Sequence, residues 1–261
     1  MGEARFAGRG KFVWYDMMST DPKRSVEFYG KLFGWTHKVT AIDGMGDYTE
    51  LRCGARDIGG IVPFDASHGV PSHWMPYLSV DDVDAAAARI PTISGTVCVP
   101  PSDIPGVGRF AVIGDPTGAF VSIFKSAVPG EEEDPWVSMH TGNFCWTELL
   151  TTDQEKAFAF YADLVGWKRD DMDMGPMGNY IVLMRGDAGI GGMLAIPAGA
   201  PQPSAWLPYV AVDDTDVTAA RIVELGGQIC LAPQDIPNMG RFAMAMDPLG
   251  AMFAIFRGQQ Q

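Results

Sequence analysis

The chain has 261 residues, 47% of them hydrophobic, enough apolar material for the cores of two domains. Its formal charge of −13 repels polyanions, which argues against nucleic acid as a partner. No apolar run reaches the length of a membrane span, and the opening MGEARFAGRGKF lacks the apolar centre of a signal peptide, so a cytoplasmic protein with no membrane partner is expected.

The first predicted element is a strand over Phe12–Met18, FVWYDMM, with one acid, Asp16, among apolar residues. Thr20-Asp21 offers N-cap chemistry for a helix in which Val26, Tyr29 and Leu32/Phe33 recur at helical spacing, and Gly34 supplies the stop. Strands follow near Trp35–Thr40, Tyr48–Arg52 and Asp57–Pro63. After a loop rich in Pro, His and Gly the order starts again. MPYLSV is a strand, Asp81-Asp82 caps an Ala-rich helix, and strands lie near Thr96–Val99, Phe110–Ile113 and Ala119–Phe124. Asp115-Pro116-Thr117-Gly118 reads as a β-turn between the last two.

This βαβββ pair is then written a second time, at a constant offset of 132 residues. FYGKLFGW (Phe28–Trp35) matches FYADLVGW (Phe160–Trp167), and HWMPYLSVDDVDAAAAR matches AWLPYVAVDDTDVTAAR. DIPGVGRFAVIGDPTGAFVSIFK (Asp103–Lys125) matches DIPNMGRFAMAMDPLGAMFAIFR (Asp235–Arg257). The expected organisation is one domain over 1–125 (modules 12–63 and 74–125), an acidic linker over 126–139, and a second domain over 140–261 (modules 144–195 and 206–257). Four cysteines lie far apart with no CxxC pair, so they read as reduced, buried small hydrophobes.

The strand–helix segment ending FYGKLFGW, the VDDVDAAAAR helix start and the GRFAVIGDPTGA hairpin, each present twice, resemble the vicinal oxygen chelate superfamily of glyoxalases, bleomycin-resistance proteins and extradiol dioxygenases. The look is nearest to its two-domain, glyoxalase-like branch of actinobacterial proteins, some of them labelled hydroxylases. The resemblance implies an α+β fold in which four βαβββ modules pair into two tandem, eight-stranded open barrels, or cups. Enzymes of the superfamily hold one divalent metal in the cup through His, Glu or Gln. On this chain the corresponding positions are Trp14, the Ile58–Ile61 stretch (IGGI), Met75 and Ser122, and in the second half Trp146, its IGGM counterpart, Leu207 and Ala254. Apart from a weak hydroxyl at Ser122, none carries a donor suited to zinc, iron or manganese. His37, His68, His73 and His140 align with Arg169, Ala200, Ala205 and Gly8, so no histidine is repeated. No metal or other cofactor is expected.

By strand alternation Trp14, Asp16 and Met18 share one face, as do Trp146, Glu148 and Leu150. Asp16 and Glu148 are thus candidate acid/base or ligand-binding groups, and a structural reading pairs Asp16 with a neighbouring strand or with Arg109. The remaining candidate lining is Trp14, Tyr48, Glu50, Met75, Tyr77, Ser122 and Phe124 in the first half, and Trp146, Tyr180 and Tyr209 in the second. Trp74 and Trp206 alternate to the other face and are expected under the helices. The leading expectation is a metal-free binder of a small, partly aromatic, natural-product-like or drug-like molecule in one or both cups. The alternative is a glyoxalase-like enzyme of lyase, isomerase or hydroxylase type, using Asp16 or Glu148 as acid/base, or an atypical metal set of His73, Asp16 and Glu50. A homodimer is open.

Overall fold

A computed structural model describes residues 9–42, 46–65, 67, 69–128, 139–175, 178–197, 199 and 202–259. Most of the expected linker, residues 129–138, and His68 lie outside the described residues. The first module runs β1 (Phe12–Ser19), α1 (Pro22–Phe33), β2 (Thr36–Ile42), β3 (Gly46–Cys53) and β4 (Arg56–Pro63). The second has β5 (His73–Ser79), α2 (Val83–Arg89) with a 3-10 turn over Ile90–Ile93, β6 (Thr96–Ile104), β7 (Gly108–Gly114) and β8 (Phe120–Ser126). The third follows as β9 (Phe144–Thr151), α3 (Gln154–Val165), β10 (Lys168–Asp173), β11 (Asn179–Arg185) and β12 (Ala188–Ala195). The fourth is β13 (Ala205–Ala211), α4 (Thr215–Glu224), β14 (Gln228–Ile236), β15 (Gly240–Met246) and β16 (Met252–Gly258).

These strands form two eight-stranded mixed sheets, ordered β2-β3-β4-β1-β5-β8-β7-β6 and β10-β11-β12-β9-β13-β16-β15-β14. The α+β class and the fourfold βαβββ arrangement are those that the sequence implies. Helix starts follow the capping chemistry: Asp21, Asp82, Asp153 and Asp214 each accept the amide of the third residue onward, at 2.9–3.1 Å. Gly34 and Gly166 end α1 and α3 in the left-handed conformation at φ 72° and 77°. Strand β6 runs five residues beyond the expected Val99, through Pro100-Pro101. It is a sheet edge, and the register slips between Val99 and Ser102, which is where a strand tolerates prolines.

Chain segments cluster into two compact units that do not follow the sequence repeat. One joins the second and third modules (76–135 and 146–206, with 1–14), and the other joins the first and fourth (15–75 and 207–261, with 136–145). Each has a buried polar seam inside its aromatic core. In the unit of modules one and four, the Tyr29 hydroxyl donates to Asp247 Oδ2 at 3.1 Å and accepts from Trp74 Nε1 at 3.1 Å. The other Asp247 oxygen accepts the amides of Leu249 and Ala251 at 2.8 and 2.9 Å, closing the DPLG turn. In the unit of modules two and three, Tyr161 donates to Asp115 at 3.2 Å and accepts from Trp206 at 2.9 Å, while Asp115 Oδ1 closes the DPTG turn. Trp74 and Trp206 therefore sit against the helix tyrosines, as alternation predicts. Burial, with the neighbouring carboxylate's charge second, pushes the Tyr29 and Tyr161 phenols well above their ordinary range. Burial also raises Asp247.

Candidate functional site

Asp16 lies mid-strand in β1, with 4% of its surface exposed. A buried carboxylate without partners costs several kcal/mol in effective desolvation, on the order of the whole stability of a domain. The fold meets this cost with a hydroxyl from two strands away. Tyr48 of β3 donates to Asp16 Oδ1 at 2.7 Å. To reach it, the ring crosses β4 above Gly60, the residue paired with Asp16 in the parallel β1–β4 ladder. A Cβ at Gly60 would stand 1.9 Å from the Tyr48 hydroxyl, so only glycine leaves the ring its path.

The second half repeats the device. Glu148 of β9, also 4% exposed, is paired with Gly192 of β12, and a Cβ there would stand 2.0 Å from the Tyr180 hydroxyl. Tyr180 of β11 hydrogen-bonds Glu148, and its oxygen accepts from Trp146 Nε1 at 2.9 Å. Burial first, and then the Glu148 charge, hold the Tyr180 phenol well above its ordinary range, against the opposing effect of the indole N–H. The phenol thus stays protonated and serves as a fixed donor to the acid.

Around this common element the halves diverge. Glu50 of β3, paired with Gly60, has Val182 as its counterpart. The Arg52–Asp57 ion pair, at 2.5 Å, is replaced by Met184 and Gly189, and the Trp146 ring lies 3.4 Å from where a Gly189 Cβ would stand. The first-half wall is charged and the second-half wall is apolar.

Of the other first-half candidates, Tyr77, Ser122 and Phe124 lie on the adjacent strands β5 and β8. Tyr77 is paired with Ser122, and its ring centre is 6.0 Å from Phe124 and 6.5 Å from Phe110. In the second half Tyr209 is paired with Ala254 and stacks on Phe242 at 6.3 Å. Trp14 and Met75 are buried on β1 and β5. His73 turns back on its own loop, its Nδ1 3.0 Å from the Pro71 carbonyl oxygen and its ring edge-on to Phe64.

The expected alternative of an Asp16–Arg109 pair is corrected. Arg109 forks onto Asp84 at 2.6 and 2.7 Å and reaches Asp103 at 2.8 Å, tying the start of α2 to the β6–β7 hairpin. Arg241 does the same with Asp216 and Asp235. A bond from Asp16 to another strand is one of the two expected arrangements; that Tyr48 makes it, across Gly60, is not written in the local pattern, although the acid, tyrosine and second glycine all recur at the same 132-residue offset.

The positions at which the superfamily keeps a metal do not fit one here. They hold Trp14, the IGGI stretch of Ile58–Ile61, Met75 and Ser122, and Trp146, the IGGM counterpart, Leu207 and Ala254, which offer one hydroxyl between them. Among the described residues, no three His, Cys, Asp or Glu side chains are grouped as a metal would need.

A family model described as the Glyoxalase/Bleomycin resistance protein/Dioxygenase superfamily matches residues 11–123 and again 143–255. The chain belongs to this superfamily. Among curated relatives it is 37% identical over 251 residues, 95% of each chain, to CFP32 of Mycobacterium tuberculosis, whose name marks it as a suspected glyoxylase. It is 33% identical over 265 residues to the anthracycline biosynthesis protein DnrV of Streptomyces peucetius, covering 96% of this chain and 94% of DnrV. Solved structures with the same fold include the Mn(II)-bound glyoxalase of Novosphingobium aromaticivorans, at TM-score 0.62 and 17% identity over 95% of this chain and 81% of the other. The 2,3-dioxygenase LapB of Pseudomonas sp. KL28 matches at TM-score 0.63 and 12% identity, covering 98% and 94%. No helix among the described residues is long and apolar enough to cross a membrane.

Proposed function

We propose that this superfamily member binds a small, partly aromatic organic molecule against one or both of its sheets, and does so without a metal ion. The observation that carries this reading is the acid–tyrosine–glycine element. On the strand next to β1 the IGGI and IGGM stretches carry no metal donor, and their Gly60 and Gly192 leave the space that Tyr48 and Tyr180 occupy. A buried carboxylate and a phenol amid aromatic side chains suit a ligand with a flat apolar body and a few hydrogen-bonding groups. The DnrV relative supports the class, since its name places it in the biosynthesis of such molecules.

A second reading, in which Asp16 or Glu148 moves a proton in a glyoxalase-like reaction, draws on the name of the CFP32 relative. Elemental analysis of protein purified without chelator, combined with titration of an anthraquinone before and after EDTA, tests the first reading. Sub-stoichiometric metal and EDTA-insensitive binding are expected; a near-stoichiometric metal whose removal abolishes binding overturns it. Turnover that falls in Asp16→Asn or Glu148→Gln would favour the second.

A further inference from the structure

On the β5–β7–β8 face the two sheets share Tyr77/Tyr209, Phe110/Phe242 and Phe124/Phe256, and among the positions where they differ is Ser122, whose counterpart is Ala254. Ser122 sits mid-strand in β8, paired with Tyr77 on one side and Val112 on the other, and is 1% exposed. Among the described residues its Oγ is the buried side-chain polar atom without a hydrogen-bond partner. Burying a hydroxyl unpaired costs free energy. The other copy of the repeat does without it, with Met244 in the place of Val112. Ala254, at the same place in β16, is paired with Tyr209 and Met244 in the same register and is fully buried.

An avoidable cost at one copy of a repeat points to a use in that copy. Alternation along β8 turns Ser122 and Phe124 to one face and Val121 and Ile123 to the other, all four of them buried. Tyr77, Phe110 and Phe124 share the Ser122 face, the Tyr77 ring centre lying 6.5 Å from Phe110 and 6.0 Å from Phe124. An unpaired O–H on such a face fits the carbonyl oxygen of a planar aromatic ring system.

We infer that Ser122 is a ligand-recognition residue that donates its hydroxyl to a ring carbonyl of a planar aromatic molecule, and that its presence opposite Ala254 makes the first sheet the one selective for carbonyl-bearing ligands. This rests on the proposal that the sheets bind such molecules, and it adds which atom is read and by which repeat.

The test uses a matched pair of probes, 2-(hydroxymethyl)anthraquinone and 2-(hydroxymethyl)anthracene, titrated by quenching of tryptophan fluorescence against the full chain, Ser122→Ala and Ala254→Ser. Ser122→Ala is expected to unfold at higher urea than the wild type, because it removes an unpaired hydroxyl, and to lose about tenfold in affinity for the anthraquinone while keeping its affinity for the anthracene. Ala254→Ser is expected to be less stable than the wild type. If both probes bind and Ser122→Ala weakens neither or both alike, the assignment of Ser122 is overturned and the binding proposal stands. If the wild type binds neither probe, the binding proposal fails and takes the assignment with it. A Ser122→Ala protein less stable than wild type shows that the hydroxyl has a structural partner, and also overturns the assignment.

Discussion

Tyr29 and Asp247 lie 218 residues apart and share a hydrogen bond of 3.1 Å at the centre of one compact unit. The tyrosine belongs to the FYGKLFGW motif and the aspartate to the DPLG turn, so two motifs that look local are the two ends of one contact. Its twin joins Tyr161 to Asp115 in the other unit.

Removing one end of this contact should weaken the fold without touching the candidate site. Tyr29→Phe leaves the Trp74 N–H and one Asp247 oxygen without their shared partner, a loss of about 1–3 kcal/mol. Urea denaturation followed by tryptophan fluorescence reads it. A midpoint equal to that of the wild type would show that water or a neighbour takes the hydroxyl's place.

Acid should reveal the same aspartate from another direction. Burial raises the Asp247 carboxyl above 3.8, so the folded state holds its proton at pH values where the unfolded chain has released it. Its contribution to stability is full below about 3.8 and declines as pH rises through the raised value. In Asp247→Asn this decline should vanish from the difference in unfolding free energy measured between pH 4 and pH 7. A difference that stays constant across that range, relative to wild type, would contradict the raised carboxyl.

Alkali should discriminate among the seven tyrosines. Tyr29, Tyr161 and Tyr180 have phenols held well above the ordinary 10.0. Their neutral forms favour the fold fully below pH 10, and that contribution is lost as pH rises beyond it, because the unfolded phenols ionise first. Absorbance at the phenolate band should show these three titrating only as the protein unfolds. Smooth ionisation of all seven in the folded state would sink this expectation.

The acid–tyrosine–glycine element makes a coupling prediction. Tyr48→Phe deletes the bond to Asp16, and Gly60→Ala expels the ring by placing a Cβ 1.9 Å from its hydroxyl. Each should cost about 1–3 kcal/mol, and the double variant should cost little more than the larger single loss, because both remove one interaction. Additive losses would mean that Gly60 serves some other purpose.

The register of β1 was legible from the repeat alone: Trp14 and Asp16 face the same way because strand alternation permits nothing else. The helix caps and the DPTG turn were equally plain, since each is set by residues within four positions. The partner of Asp16 was not legible. It depends on how β3 lies across β4, and the ladder slips between Leu51 and Arg52, a shift that no local pattern announces. Tyr48 could be named as a candidate, but its bond could not. Arg109 misled for a related reason: a repeated arginine beside an apolar strand looks like a counter-ion for a buried acid, whereas its partners are the exposed Asp84 and Asp103. The second role of Asp115 and Asp247 stayed hidden because a turn motif already accounts for an aspartate at that position.

The mixed membership of the compact units bears on how such a chain could arise. Each unit takes one module from either side of the repeat, so each half carries the tyrosine of one buried seam and the aspartate of the other. The constant offset makes Asp115 the counterpart of Asp247 and Tyr29 that of Tyr161. Two identical half-length chains could therefore form both seams between them, Tyr29 of each meeting Asp115 of the other. In that light the full chain is a duplicated half written as a single polypeptide, and joining the copies leaves each free to change without the other. Ser122 opposite Ala254, and a charged wall opposite an apolar one, are what that freedom allows.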